Sequence, residues 1–322
     1  MEDRYLIIAD DFTGANDTGV QLRRRGFATE VLFAGKPVGT EHSVVIDTES
    51  RTVHPDHAYE IVSHAVENVD FGGFRFVIKK VDSTMRGNIA SEVKAIDEKF
   101  RPELMIFAPA LPDLGRTTVD GVQCLNGTEI CRTELALDPK NPVVEDNLVR
   151  MLAAVYDEKV FLKRLPDVRG KDLTFEEERI YACDAETNDD LKKILLAAGR
   201  TGKKILYIGT AGLADNLMQL ERPSLPAFGV VASVSTVTNR QMKYCEGKGI
   251  TMVQIPVHRI LSGEENTAPY LEQTMEALKR GEDTILLANT SYNREELELS
   301  FEAGEKLGLG PVETGDKVRS II

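Results

Sequence analysis

The sequence predicts an α/β protein with two domains and mostly parallel sheets, and two observations support this. Short β-rich runs such as "YLIIA" and "SVVID" are each followed by a segment with helical periodicity, which is typical of βα units on a parallel sheet. The chain of 322 residues also exceeds the roughly 250 to 300 residues that one core usually supports. We therefore expect more than one domain.

The elements of the first domain are predicted in chain order. Strands are expected at 5–9, 29–33, 43–47, 74–80 and 104–108, and helices at 14–25, 55–68 and 88–100. Asn88 is a good N-cap for the last of these helices. Residues 109–142 are rich in Pro, Gly and Thr without a long periodic segment, which predicts a functional loop. The alternation then resumes with helix 143–156, strands near 159–163 and 179–183, helix 187–198, strand 204–208 and helix 211–220.

A second α/β series follows the segment 221–229, whose two prolines predict a linker between domains at 1–220 and 230–322. Its predicted elements are strand 229–233, helix 236–247, strand 251–255, helix 267–280, strand 284–288 and helix 293–307. Only about 95 residues follow the linker, which is few for a complete domain of this class. We therefore expect the second domain to be incomplete in this chain.

Composition and charge exclude several classes of partner. The net charge of −13 disfavours nucleic acid and anionic membranes, which select clustered Lys and Arg. No apolar run approaches the roughly 18 residues of a membrane span. Four cysteines without a Cys-x-x-Cys pair predict a reduced, cytoplasmic protein. His54 and His57 lack a third ligand and are not expected to bind a metal.

The stretch "ADDFTGAND" places Asp10 and Asp11 at the carboxyl end of the first strand, where open α/β sheets bind ligands. Paired acids there could accept a proton, orient a hydroxyl or hold Mg²⁺. The alternative is that one Asp caps the following helix while the other is solvated. Phe12 breaks the Asp-x-Asp pattern that a haloacid-dehalogenase phosphatase would show.

A second polar stretch, "KKVDSTMRGN", again runs from a strand end to a helix start. Its hydrogen-bonding residues are Lys80, Asp82, Ser83, Thr84, Arg86 and Asn88. Arg and Lys suit a carboxylate or phosphate, and Ser and Thr suit hydroxyls. Arg51, from "DTESR", and Arg116, from "PALPDLGRTTVDG", are expected at the same sheet edge. The alternative is a surface turn with an N-cap.

Two later segments, "IGTAGLADNL" and "VVASVSTVTNRQ", could aim backbone amides at an anion. Neither contains G-x-x-x-x-G-K-[ST] or a complete G-x-G-x-x-G, so P-loop and Rossmann motifs are excluded. Each is also consistent with an ordinary capped helix.

Taken together, these motifs resemble those of the four-carbon acid sugar kinase family, which includes threonate, erythronate and 3-oxo-tetronate kinases. The resemblance rests on "DDFTGANDTG", "DTESR", "KKVDSTMRGN", "PALPDLGRTTVDG", "GTAGLA" and "SVSTVTNRQ". It implies that the first domain binds an acid sugar and the second binds ATP with Mg²⁺. By resemblance the substrate pocket contains Asp10, Asp11, Arg51, Lys80, Asp82, Ser83 and Arg86, and the nucleotide lies near Ser233 and Ser235. The chain departs from the family at Ala232, usually Gly, and lacks a "GGDTA"-like segment and a late Gly-rich loop.

The resulting hypothesis is an ATP-dependent kinase acting on a terminal hydroxyl of an acid sugar. Phosphoryl transfer needs a cationic clamp and a nearby base. We expect Arg51, Lys80 or Arg86 to bind the carboxylate, with Arg116 also near. Ser83 and Asp82 would contact hydroxyls, and the candidate catalytic residues are Asp10, Asp11 and Asp82.

The alternatives are a non-catalytic acid-sugar-binding protein or inactive paralogue and, less supported by motifs, a phosphatase or aldolase-like lyase. The identity of the acid sugar and the formation of a homodimer are left open by the sequence.

Overall fold

The computed structural model describes residues 4–222, 226–293 and 295–321, and the chain divides into two compact units, Met1–Ser224 and Leu225–Ile322. The division falls within the segment 221–229 that was predicted to be a linker. Residues 223–225 of that segment, and residue 294 of the predicted helix 293–307, lie outside the described residues.

Parallel strands dominate the first unit, as the sequence predicts. Its strands are β1 (Tyr5–Ala9), β2 (Thr29–Phe33), β3 (Ser43–Asp47), β4 (Phe76–Lys80), β5 (Leu104–Phe107), β6 (Arg116–Val119), β7 (Val122–Leu125), β8 (Thr128–Glu129), β9 (Val160–Lys163), β10 (Ile180–Cys183) and β11 (Ile205–Gly209). Its helices are α1 (Phe12–Arg24), α2 (Pro55–Ala65), α3 (Ile89–Phe100), α4 (Leu148–Ala153), α5 (Leu165–Arg169), α6 (Asn188–Arg200) and α7 (Ala211–Glu221). Among the described residues, eight strands form one parallel sheet in the order β2-β3-β1-β4-β11-β5-β10-β9.

Helices cover both faces of this sheet. Tyr5 and Ile7 of β1 point into a core shared with α1, α6 and α7, whereas Leu6 and Ile8 point into a second core shared with α2, α3 and α4. Every residue of β1 is buried. This explains why the strand is a continuous apolar run rather than an alternating one, since a parallel strand with two covered faces has no solvent side.

The strand order places a ligand crevice at the carboxyl end of β1. This strand lies between β3 and β4, and the chain passes from β3 to β4 across it. Ligands of open α/β sheets bind outside the carboxyl ends of strands at such a change in winding direction. The loops after β1, β3 and β4 are therefore brought together at one edge of the sheet.

The segment 109–142 differs from the irregular loop that was predicted, because it contains an antiparallel sheet in the order β6-β7-β8. Two-residue turns, Asp120-Gly121 and Asn126-Gly127, join its strands, and all four residues have positive φ between 50° and 80°. Such φ pairs form the tight turns that match the twist of a β-hairpin.

The helix predicted at 143–156 is shorter and begins later. Asn147 caps α4, accepting a hydrogen bond from the amide of Arg150 at 3.0 Å. The preceding residues are not helical because Asp146 pairs with the antiparallel sheet. Its carbonyl accepts from the amide of Gln123 at 2.9 Å, and its carboxylate accepts from that of Cys131 at 2.8 Å.

The second unit is a smaller parallel α/β assembly. Its strands β12 (Phe228–Val231), β13 (Thr251–Ile255) and β14 (Thr284–Ala288) form a sheet in the order β12-β14-β13 within the described residues. Its helices are α8 (Thr236–Gly247), α9 (Val257–Leu261), α10 (Ala268–Lys279), α11 (Glu295–Lys306) and α12 (Pro311–Arg319). Across the described parts of both units, no helix has the length and apolarity needed to cross a bilayer.

Candidate functional site

Arg51 lies at the centre of a charged cluster built from three adjacent strand ends. Its Nε donates to Asp10 Oδ2 at 2.7 Å, and its Nη2 donates to Asp10 Oδ1 at 3.0 Å. Its Nη1 donates to Asp11 Oδ2 at 2.7 Å and lies 3.8 Å from Asp82 Oδ1. Burial acts to lower the pKa of Arg51, but the hydrogen bonds of Asp10 and the charges of all three carboxylates raise it above its ordinary value. Arg51 therefore stays cationic.

The two adjacent aspartates have different environments. Asp10 is 1% exposed, and both its oxygens accept from Arg51. Asp11 caps α1, with Oδ1 accepting from the amide of Gly14 at 2.9 Å, and 23% of its side chain is exposed. The capping role weighed as an alternative is thus present at Asp11, but Asp10 is buried in an ion pair rather than solvated. Asp11 is the member of the pair that a ligand can reach.

Lys80 lies directly beneath the start of α1. Its Nζ is buried and donates to the carbonyl of Val81 at 2.9 Å. A Cβ placed on Gly14 would lie 2.9 Å from this Nζ and 2.7 Å from Asp11 Oδ1. Burial lowers the pKa of Lys80, while the charges of Asp10 and Asp82 oppose that shift. The close packing shows why a glycine follows the acid pair.

Asp82 and Arg86 form a bidentate ion pair in the loop after β4. Arg86 donates from Nε to Asp82 Oδ2 and from Nη2 to Asp82 Oδ1, both at 2.9 Å. Burial acts to raise the pKa of Asp82, but hydrogen bonds from Arg86 and Thr84 and the charge of Arg51 lower it below its ordinary value. Asp82 is thus held ionised, and Arg86 keeps 32% of its side chain exposed.

Three other predicted residues have distinct positions. Ser83 is half-buried, and its carbonyl faces Gln123 Nε2 at 3.4 Å. Arg116 donates to the carbonyl of Leu114 in its own loop, and its Nε is buried without a hydrogen-bond partner. Within the described residues, no hydrogen bond or ion pair joins Arg116 to the Arg51 cluster. Asn88 is the N-cap residue of α3, as predicted, but its side chain makes no capping hydrogen bond and donates instead to the carbonyls of Ser50 and Val53.

Polar groups that the sequence did not single out lie beneath the cluster. Glu92 of α3 and Lys79 of β4 form a fully buried ion pair with 2.8 Å between Oε2 and Nζ. Asp47 ends β3, and its Oδ2 is buried without a hydrogen-bond partner. Burial and the charges of Glu49 and Asp11 raise the pKa of Asp47 to about 6, although the amide of Glu49 opposes the shift. The position of Asp47 at a strand end was a signal that could have identified it.

The second unit has its own cavity of about 360 Å³ at the carboxyl ends of its strands. Polar residues from α8 and from the segment after β14 line it: Thr236, Asn239, Arg240, Lys243, Thr290 and Ser291. Ser291 is 1% exposed, and its hydroxyl has no hydrogen-bond partner. Ser235 caps α8 by accepting from the amide of Thr238 at 3.1 Å, and Ser233 accepts from the amide of Ser235 at 3.3 Å.

The fold of the first unit and the Arg51 cluster define a class of protein: an α/β ligand binder whose polar site lies at the carboxyl edge of a doubly wound parallel sheet. More narrowly, the chain belongs to the sugar-binding N-terminal domain family, whose model matches residues 5–217.

Comparison with known proteins confirms the resemblance drawn from the motifs. The chain is 35% identical to a D-threonate kinase of Salmonella typhimurium over 98% of its own length and 78% of that protein. It is 29% identical to a D-erythronate kinase of Heliobacterium modesticaldum, over 95% of this chain and 73% of that protein. A crystal structure of a domain of unknown function from Bordetella bronchiseptica, a domain-swapped dimer with bound citrate, matches with a TM-score of 0.58 and 25% identity, over 94% of this chain and 78% of that one.

Proposed function

We propose that this chain phosphorylates a terminal hydroxyl of a four-carbon acid sugar, with ATP as the phosphoryl donor. The observation that carries the proposal is the Asp10–Arg51–Asp11 cluster, with Lys80 and Arg86 beside it. Cations suit the carboxylate of an acid sugar, and an exposed acid beside them suits a hydroxyl that must lose its proton. The kinase names of its relatives point to the same chemistry.

The environments suggest a division of roles. Asp10 is buried against Arg51, so we assign it to fixing the guanidinium. Asp11, which is more exposed, is the proposed proton acceptor. Arg86 is the most exposed of the three cations and is the proposed carboxylate ligand, with Lys80 supplying charge from below.

The remaining substrate contacts are proposed from their positions in the loops. Ser83 and Asp82 would contact substrate hydroxyls, since they belong to the loop that carries Arg86. Arg116 is kept as a substrate ligand only through its motif, because its side chain donates to the carbonyl of Leu114 and, among the described residues, has no hydrogen bond or ion pair with the Arg51 cluster.

The nucleotide is proposed to bind in the cavity of the second unit. Arg240 and Lys243 supply positive charge, and the unpartnered Ser291 hydroxyl and the start of α8, with Ser233 and Ser235, supply hydrogen-bonding groups for phosphate. Among the described residues, no group of three His, Cys, Asp or Glu side chains could hold a metal. We therefore propose that Mg²⁺ binds with the nucleotide phosphates, where it would neutralise charge during transfer.

The test is turnover by the wild type and by Asp11→Asn with ATP-Mg²⁺ and D-threonate or D-erythronate. Loss of a general base costs about 10²- to 10⁴-fold in kcat, so we expect the variant to lose activity while binding the sugar. Asp17→Asn, an exposed position on α1, is the matched control and should retain activity. An equally active Asp11→Asn would remove Asp11 from the base role. Sugar binding without wild-type turnover would instead support the binding-protein alternative.

We propose a cytoplasmic location from the thiols and a homodimer from exposed apolar side chains. The four cysteines are free thiols, which suits the cytoplasm. A homodimer is proposed because Phe12, Val31 and Phe33 are exposed on the first unit, with the two phenyl rings stacked at 5.9 Å. Light scattering of the purified chain would decide between a monomer and a dimer.

A further inference from the structure

A chain of buried polar groups links three elements beneath Arg51. Lys79 Nζ of β4 lies 2.8 Å from Glu92 Oε2 of α3, and Glu92 Oε1 accepts from the Ser50 hydroxyl at 2.6 Å. The Ser50 and Thr48 hydroxyls lie 2.7 Å apart, and Thr48 donates to the carbonyl of Ala9 at 2.8 Å. Lys79, Glu92 and Ser50 are all 0% exposed. This series of polar groups therefore runs from β4 to Ala9, the residue that precedes Asp10.

The loop that this chain holds has an unfavourable backbone. Glu49, between the two hydroxyl residues, has a φ of 47°, which few residues other than glycine adopt. Asn88 Nδ2 holds the same loop from α3 by donating to the carbonyls of Ser50 and Val53 at 2.9 and 2.8 Å. Such conformations persist only where the surroundings fix them, and they concentrate at functional sites. Arg51 lies in this loop, two residues after Glu49.

We propose that Glu92 is a positioning residue, which, through Ser50, fixes the loop that aims Arg51 between Asp10 and Asp11. The inference rests on the proposed function, since it assigns Glu92 to the same site. A buried ion pair is a poor source of stability compared with apolar packing, so stability alone does not explain the Lys79–Glu92 pair. A carboxylate here meets two needs, because it neutralises Lys79 and accepts from Ser50.

Two double variants separate positioning from stability. The first, Lys79→Met with Glu92→Gln (the Gln pair), removes both charges but leaves an amide oxygen that accepts from Ser50. The second, Lys79→Met with Glu92→Leu (the Leu pair), also removes both charges and leaves Ser50 without its acceptor. We expect the Gln pair to keep the KM for acid sugar within about twofold of wild type and the Leu pair to raise it about tenfold, the size of one lost hydrogen bond in an ordered site. The KM for ATP should change in neither.

Hydrogen exchange gives a readout that does not need activity. Amides of residues 48–53 should exchange faster in the Leu pair than in the wild type, and at the wild-type rate in the Gln pair. Asp97→Asn is the control, because Asp97 lies on the same helix and accepts from Arg179 at 2.7 and 3.1 Å. Its loss should lower stability without changing exchange at 48–53.

Equal KM values and equal exchange in the two double variants would overturn the proposal. If the Leu pair fails to fold, Ser50→Ala removes the same hydrogen bond from its other end, and unchanged exchange at 51–53 in that variant would also overturn it. If the wild type turns over no acid sugar, the proposed function fails, whereas the exchange comparison still decides the role of Glu92.

Discussion

Asp10 and Asp11 show how one position along the chain changes what a carboxylate can do. Asp10 is the first residue after β1 and stays within the buried layer, where Arg51 binds both its oxygens. Asp11 turns out of that layer to cap α1, so one oxygen binds the helix start and the other binds Arg51. A helix N-terminus stabilises negative charge. One acid thus fixes the cation, and the other meets solvent.

Gly14 is predicted to be essential for this arrangement. A Cβ there would lie 2.7 Å from Asp11 Oδ1 and 2.9 Å from Lys80 Nζ, closer than side chains pack. We expect Gly14→Ala to displace both groups, to lower kcat/KM at least tenfold and, through the lost cap, to cost about 1 kcal/mol of stability. Enzyme assays and urea unfolding measure the two effects.

The control for Gly14 is Gly199→Ala in α6, where an added Cβ would meet nothing within 4 Å. Alanine favours a helix over glycine by up to about 1 kcal/mol, so this variant should be slightly more stable and fully active. A Gly14→Ala variant with wild-type kinetics would show that Asp11 and Lys80 need not occupy their observed positions.

Asp47 is predicted to make stability depend on pH. Its pKa is raised from 3.8 to about 6 by burial and by Glu49 and Asp11. The folded state therefore binds this proton more tightly than the unfolded state. The stabilising contribution is complete below pH 3.8 and is lost as pH rises through 6.

Asp47→Asn has no proton to lose, and its amide oxygen can still accept from the amide of Glu49. At each pH we take the free energy of unfolding of Asp47→Asn minus that of the wild type. We expect this difference to be higher at pH 8 than at pH 4 by on the order of 1 to 3 kcal/mol. Urea titrations at the two pH values measure this difference. An identical offset for Asp47→Asn at both pH values would contradict the assignment.

At the scale of elements, the parallel sheet was predictable because several of its strands, such as β1 (YLIIA) and β5 (LMIF), are continuous apolar runs, although β2 (TEVLF) has no buried residue. The strands predicted at 5–9, 29–33 and 43–47 are confirmed with the same bounds. The helix predicted at 88–100 is confirmed over Ile89–Phe100. Where both faces are buried, local composition and tertiary position point to the same structure.

The antiparallel sheet in 109–142 was not predicted, because its strands have four residues or fewer and show no clear period. The signal was in its turns, since Asp-Gly and Asn-Gly between two short strands favour hairpins. Helices α5, α9 and α12 were also missed, and the five-residue α5 and α9 are too short for periodicity to reveal.

The candidate site could be predicted only where its residues lie at strand ends. Strand ends indicated that the motifs of Arg51 and Asp82 would meet, and the structure brings these side chains within 3.8 Å. The Lys79–Glu92 pair could not be predicted, because its two members look like an ordinary strand residue and an ordinary helix residue until the layers are packed. Contacts that depend on the third dimension leave no local pattern.

Gln123 of β7 connects the antiparallel sheet to the site loops. It is fully buried, its Nε2 donates to the carbonyls of Pro109 at 3.2 Å and Ser83 at 3.4 Å, and its Oε1 accepts from Thr118 at 2.6 Å. Gln123→Met keeps the volume but leaves these groups unpaired, which costs about 1 to 3 kcal/mol. We expect lower stability together with a higher KM for acid sugar.

Thr128→Ala is the matched control, because it changes an exposed residue of the same sheet and should alter stability by no more than about 0.5 kcal/mol. Urea unfolding and kinetics on both variants test the connection. A stability loss at Gln123 with an unchanged KM would limit its role to holding the antiparallel sheet.

At the scale of the whole molecule, the acidity of the chain contrasts with its local charges. The net charge is −13, yet the first-unit site gathers Arg51, Lys80 and Arg86, and the second-unit cavity contains Arg240 and Lys243. An anionic ligand needs such local clusters, because the average field of an acidic protein repels it. Two separate cationic sites in two units are what two anionic ligands require.

The two units are therefore predicted to respond to different ligands. A ligand at 100 times its Kd stabilises the structure it binds by about 2.7 kcal/mol. We expect an acid sugar to slow hydrogen exchange at residues 48–53 and 81–88, and nucleotide with Mg²⁺ to slow it at 233–243. Arg86→Met should abolish the first effect and leave the second, because Arg86 is the proposed carboxylate ligand. If the nucleotide instead protects 81–88 and leaves 233–243 unchanged, the second unit is not the nucleotide site, and the assignment of the donor to Arg240, Lys243 and Ser291 fails.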